Sequence, residues 1–166
     1  MFKIDYRIAI NDYDEFIGDK GYYKISCNEN AFGEFYSKEL EEIMGTEYLY
    51  IWFEDMMKVA LALHDNNYVA LRYIESYAWI EFIRNDDLLS ISLVYSDNSN
   101  VTDFIVYEPL SKSDRDDLWK NEIVRFSEFK QELMRVVSLY ANEIKDNSFE
   151  KFSLLQEQVR NLSEKQ

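Results

Sequence analysis

The chain runs to 166 residues, the length of one domain, and can bury roughly 70% of its unfolded surface, so a single domain over residues 1–166 needs no staple. Hydrophobic residues make up 47% and aromatics 16%, with only 4 Gly and 1 Pro, which excludes a disordered or linker-rich chain. The net charge of −14 repels phosphate backbones and anionic lipid, so neither nucleic acid nor a membrane surface is an expected partner.

The opening MFKIDYRIAI is interrupted by Lys3, Asp5 and Arg7, too polar for a secretory signal, and a cytoplasmic location is expected. Phe2, Ile4, Tyr6, Ile8 and Ile10 alternate with Lys3, Asp5, Arg7 and Ala9, the pattern of a half-buried strand over 2–10. NDYDEFIGDKG predicts a loop, and YYKISCN a second strand with Tyr23, Ile25 and Cys27 on one face. Residues 37–44 suggest a short helix closed by Gly45.

EYLYIWFEDMMKVALALHD, residues 47–65, is the most apolar stretch. On a helical wheel Leu49, Trp52, Phe53, Met56, Val59, Ala60 and Leu63 cover one side. Glu47, Glu54, Asp55, Lys58 and Asp65 gather on the other with Ile51 and Ala62. A bilayer span needs about 20 consecutive apolar residues, and Glu54, Asp55 and Lys58 break this run. The expected element is an amphipathic helix lying across a sheet, with a short strand at residues 48–53 as the alternative start.

HDNNY reads as a turn, followed by strands at 68–74, 77–83, 88–96 and 103–108. RNDD and SDNSN separate the later ones as hairpin turns, and the spacing is too short for parallel crossovers. EIVRF adds one more short strand, and Ser127 is the candidate N-cap of the next helix. Phe129, Leu133, Val136, Tyr140 and Ile144 form its buried stripe. Ser148 caps a last helix with Phe152, Leu155, Val159 and Leu162 on one face. The expected fold is α+β: an antiparallel sheet of about six strands, the 47–65 helix packed on it, and two C-terminal helices.

Chemistry is conspicuous by what is missing. There is one histidine, His64, and one cysteine, Cys27; no CxxC, GxSxG or Gly-rich phosphate loop occurs. No cofactor, metal or catalytic residue is therefore expected. Cys27 reads as a packed thiol, His64 as a helix-end imidazole. Asp12 and Asp14 open like a calcium loop, but Phe16 and Ile17 stand where a ligand and a glycine are wanted. The acids are unevenly spread. After Trp119 eight acids face eight bases, leaving 24 acids and 10 bases, the entire −14, before it.

Asp12, Asp14, Glu15, Asp114, Asp116 and Asp117 are the candidate contacts for a basic protein partner. Tyr22, Tyr68, Tyr77 and Trp79 are candidates for an outer sheet face, where aromatics serve either interfaces or cross-strand pairs. The alternative is a small-molecule-binding domain or enzyme with a pocket between the sheet and the 47–65 helix, lined by Trp52, Met56 and His64. An oligomerisation module built on the C-terminal helices is a third reading.

The succession FKIDYRIAI, GYYKISCNENAFGEF, YLYIWFEDMMKVALAL, WIEFIRNDDLLSISLV and WKNEIVRFSEFKQELMRVVSLYANEI resembles a family of small acidic bacterial proteins. It is similar in kind to the immunity proteins that travel with polymorphic secreted toxins. The resemblance is one of strand and helix layout and transfers no functional residue. It implies a non-catalytic inhibitor of a cognate toxin.

Overall fold

The computed structural model describes residues 1–9, 18–33, 35, 46–73, 77–96, 103–111, 113–117 and 119–165. Alternation in the first strands builds one antiparallel sheet from β1 (Phe2–Ile8), β2 (Lys20–Cys27), β3 (Asn30–Phe32) and β4 (Glu47–Tyr48). Its order is β1-β2-β3, with β4 also on β2. The register Phe2↔Cys27, Ile4↔Ile25, Tyr6↔Tyr23 puts the expected apolar faces of both strands on the same side. Gly21 is needed where β4 meets β2: a Cβ there would come within 2.2 Å of the Arg7 carbonyl and 2.6 Å of Leu49.

The second sheet holds β5 (Tyr68–Arg72), β6 (Ala78–Asn85), β7 (Leu88–Ser96), β8 (Ile105–Val106), β9 (Ser113–Arg115) and β10 (Glu122–Arg125). Its order is β10-β7-β6-β5-β8, with β9 also pairing β7, and every pair is antiparallel. The expected six-stranded sheet is thus present, and the first two strands belong to a separate one. The sheets meet where the β2–β3 turn reaches β10: Asn28 and Asn30 donate their side-chain amides to the Glu122 carboxylate at 2.5 and 2.7 Å.

Three helices complete the fold: α1 (Leu49–Ala62), α2 (Phe126–Ile144) and α3 (Phe149–Glu164). On α1, Leu49, Trp52, Phe53, Met56, Val59 and Ala60 are buried as the wheel required, joined by Met57. The strand-like composition at its start yields only the two residues of β4. The stripe Phe129, Leu133, Val136, Tyr140, Ile144 is wholly buried on α2. On α3 Leu155 and Leu162 are buried, and Phe152 and Val159 half-buried. One core runs through both sheets and all three helices. Phe129 touches Phe2 of β1 and Phe82 of β6 at ring separations of 5.0 and 5.7 Å.

The start of α2 corrects one expectation. Phe126 begins the helix, and Ser127 is not its N-cap. Asp87, from the two-residue turn between β6 and β7, takes that role across 40 residues of chain. Its carboxylate accepts the Ser127 N–H at 3.0 Å and the Ser127 hydroxyl at 3.2 Å, and its carbonyl accepts the Phe126 N–H at 2.7 Å. Asp87→Ala is expected to cost about 1–2 kcal/mol in urea unfolding, the usual worth of a lost cap. A loss below a few tenths would mean that water serves those donors as well.

The β1 edge is guarded. Ile4 N–H points away from β2 and donates to Glu132 of α2 at 3.0 Å, while Arg135 holds that carboxylate at 2.7 and 2.8 Å. Burial alone would raise the Glu132 pKa, but Arg135 and the Ile4 N–H outweigh it and hold the group below its ordinary value.

Candidate partner-binding surface

The register of the six-stranded sheet brings distant residues to one end. Arg72 pairs Trp79, Trp79 pairs Val94, and Val94 pairs Arg115. One step further out Ala78 pairs Tyr95, and Tyr95 pairs Asp114. At the β5 side, the Arg72 N–H donates to the Phe104 carbonyl at 2.8 Å. Neighbouring strands lie about 4.8 Å apart, so this end spans roughly 20 Å from β8 to β9. Tyr77, Phe104 and Tyr95 stand on it with 65%, 49% and 47% of their surface exposed. Among the described residues Asp103, Asp114 and Asp117 there have no ion-pair partner.

Carboxylates elsewhere in the first 119 residues are more often matched. Asp5 meets Lys3 and Lys24, and Glu54 and Asp55 share Lys58. The C-terminal helices contribute Lys151 to Asp19 at 2.5 Å and Lys165 to Asp65 at 3.0 Å. The balanced tail therefore neutralises part of the acidic body, but not this end of the sheet. Aromatic rings among unneutralised carboxylates are the mixture that suits a basic protein surface: rigid contact area with attractive charge around it.

Of the sequence candidates, Asp114 and Asp117 face solvent at this end. Asp116 is half-buried, and its N–H donates to the Leu93 carbonyl at 2.9 Å, which turns it back toward the sheet. Asp12, Asp14 and Glu15 lie outside the described residues, as do the expected 37–44 helix and residues 97–100 of the SDNSN turn. Tyr95, Phe104 and Asp103 carried no motif of their own. Tyr95 shares the parity of the buried Leu89, Ile91 and Leu93, so nothing local marked it or its neighbours as surface residues.

The outer-face aromatics part ways. Tyr77 is exposed, whereas Trp79 and Tyr22 are buried and Tyr68 half-buried. Tyr22 lies under the Arg7 guanidinium, 5.1 Å from its ring. Trp79 belongs to a second small core with Ala70, Val94 and Leu110, because the chain between β8 and β9 folds back over this face. The strap is pinned by a buried carboxylate. Glu81, 2% exposed, accepts from Arg115 Nε at 3.0 Å and from its terminal nitrogen at 2.5 Å. The Leu110 N–H donates to the Tyr68 hydroxyl at 3.1 Å. Burial first, and Glu81 beside it, push Tyr68 up to about 12.

Trp52, Met56 and His64 do not converge. Met56 is fully enclosed in the main core. His64 sits two residues past α1 with its ring 5.2 Å from Phe126, and burial together with Lys130, Arg84 and Lys165 lowers its pKa. Trp52 alone borders a crevice, between α1, β4 and the ends of β5 and β6, with an interior of about 20 Å³. That holds roughly one water molecule. Cys27 is buried, and desolvation with Glu122 nearby pushes its thiol up to about 11, the opposite of nucleophile activation. Among the described residues no three His, Cys, Asp or Glu side chains group closely enough to hold a metal, and no helix is long and apolar enough to cross a membrane.

The chain matches no protein-family model, no curated protein and no solved structure.

Proposed function

We propose that this protein is a non-catalytic binding module, an immunity-type inhibitor that receives a basic toxin domain on the aromatic and acidic end of its six-stranded sheet. The observation that carries the reading is the company of Asp103, Asp114 and Asp117, none paired among the described residues, with the exposed rings of Tyr77, Tyr95 and Phe104. Charges at the rim steer encounter and screen wrong partners, while the rings supply desolvated contact area that slows dissociation.

The test is binding kinetics against the basic product of a toxin gene beside this one, at several ionic strengths. Asp114→Asn with Asp117→Asn is expected to slow association about tenfold at low salt and to flatten its salt dependence. Tyr95→Ala should act instead on dissociation. No association with the neighbouring basic protein at any ionic strength would remove the reading. A small-molecule enzyme is disfavoured because, among the described residues, core side chains fill the space between α1 and the six-stranded sheet up to the one-water crevice beside Trp52.

A further inference from the structure

We propose that this crevice is a socket for the ε-ammonium of a single lysine on the basic partner; the proposal rests on the protein-binding reading and adds to it a point of anchorage. The crevice lies where β4 and α1 face the ends of β5 and β6, at the same end of β5 as the surface described above.

Its walls are aromatic. Tyr23 and Trp52 stack at 3.9 Å, Tyr48 and Tyr73 add two more rings, and Leu71 and Ile80 supply the aliphatic part of the lining. Aromatic faces attract a cation through their quadrupole, most strongly where water is excluded. Two carboxylates share the lining, Glu47 and Asp55. Tyr73 donates its hydroxyl to Glu47 Oε1 at 2.6 Å, and Lys58 engages Asp55 Oδ1 at 2.9 Å. One oxygen of each carboxylate therefore has no partner among the described residues. Lys58 is itself shared with Glu54 at 3.3 Å, so it does not cancel Asp55 alone.

The chain's other nearby cations fit this chemistry. Arg72 borders the crevice, but its guanidinium carbon lies 5.8 Å from the centre of Trp79, a ring of the second core on the opposite face of the sheet. The Lys20 ammonium stands 5.1 Å from the ring centre of Tyr48, at the margin. One wall thus already attracts an ammonium of the protein's own.

Size selects the ligand. An interior of about 20 Å³ admits one water-sized group. An ammonium is a compact point charge of that size, whereas a guanidinium is a broad planar fork. The occupant is therefore lysine rather than arginine, presented at the end of a thin alkyl stem.

The full chain titrated with n-butylammonium, n-butylguanidinium and n-butanol, followed by NMR, tests this. Butylammonium should give saturating shifts confined to the Trp52 indole and the amides of Glu47, Tyr48, Asp55 and Tyr73. It should bind at least about fivefold tighter than butylguanidinium, and butanol should not saturate. Glu47→Gln keeps an oxygen for the Tyr73 hydroxyl and should weaken butylammonium about tenfold; Asp55→Asn, a second route to the same answer, about threefold. Lys20→Met removes a competing charge and should tighten it. Equal binding of the two cations, or butylammonium binding indifferent to both carboxylate variants, overturns the socket. Against the basic partner the failures separate. If Glu47→Gln binds the partner as the wild type does while the Asp114 and Asp117 variants do not, the socket fails and the surface stands. If butylammonium binds as described but no basic protein does, the surface fails and the socket's cation chemistry remains.

Discussion

Phe129→Ala is expected to destabilise the protein by about 3–5 kcal/mol, the largest single-residue loss in the fold, because it empties a fully buried aromatic site that cannot collapse. The ring stands at a junction. It meets Phe2 from the four-stranded sheet edge-on, Phe82 from the six-stranded sheet at a tilt, and Phe126 one helical turn away at 6.2 Å. A cavity there is lined from both sheets and from α2, so no one element can move in to fill it without losing its own contacts. A loss of that size is a large share of the stability of a typical domain. Denaturant unfolding followed by far-UV circular dichroism and by tryptophan fluorescence should show one coincident transition in both proteins, displaced to lower denaturant in the variant. Separate transitions for the two probes would mean that the sheets do not share a core. A loss under 1 kcal/mol would mean that the ring packs more loosely than its neighbours indicate.

What could be read in the chain beforehand divides along one line: whether the information is local. The stripe from Phe129 to Ile144 and the buried arc of α1 were legible because helical periodicity places side chains relative to one another within a few residues. The alternation of β1 and the inward set Tyr23, Ile25 and Cys27 were legible for the same reason, with a period of two. The division of the strands between two sheets was not. A strand's own pattern says which face is buried and nothing about which strand lies beside it. Asp87 as the cap of α2 was hidden likewise, since its partner lies 40 residues on. Trp79 shows the limit most plainly. Parity put it correctly on the outer face of β6, but the strap that covers it depends on Leu110 and Arg115, far along the chain. The candidate surface was half legible. The acids near residue 114 stood out as a cluster, whereas Tyr77, Tyr95 and Phe104 become neighbours of Asp114 only through pairing across β8, β5, β6, β7 and β9.

Arg115→Met is expected to cost about 3 kcal/mol, at the lower end for a broken buried pair because the arginine keeps about a third of its side chain in water. The cost comes from what stays behind. Glu81 is 2% exposed, its Oε1 accepts two donors from the one guanidinium, and without them the carboxylate is left, among the described residues, with the Tyr68 hydroxyl as its hydrogen-bond donor. Replacing both members, Glu81→Leu with Arg115→Met, should recover most of the loss, since the Trp79 cluster can accept apolar atoms in place of the pair. A double-mutant cycle in urea isolates that coupling. An exposed ion pair would give less than about 1 kcal/mol for either single variant and nearly additive effects for the double, and that result would rule out the pinned strap. The same variants connect stability to the binding surface. Asp114 is the residue before Arg115 and pairs Tyr95 in the register that the pinned strap maintains. The single variant should therefore bind a basic partner more weakly even at temperatures where it remains folded, whereas the apolar double variant, which holds the strap by packing, should bind nearly as the wild type does. Weak binding by both would place Arg115 or Glu81 in contact with the partner, since only then does restoring the strap fail to restore affinity.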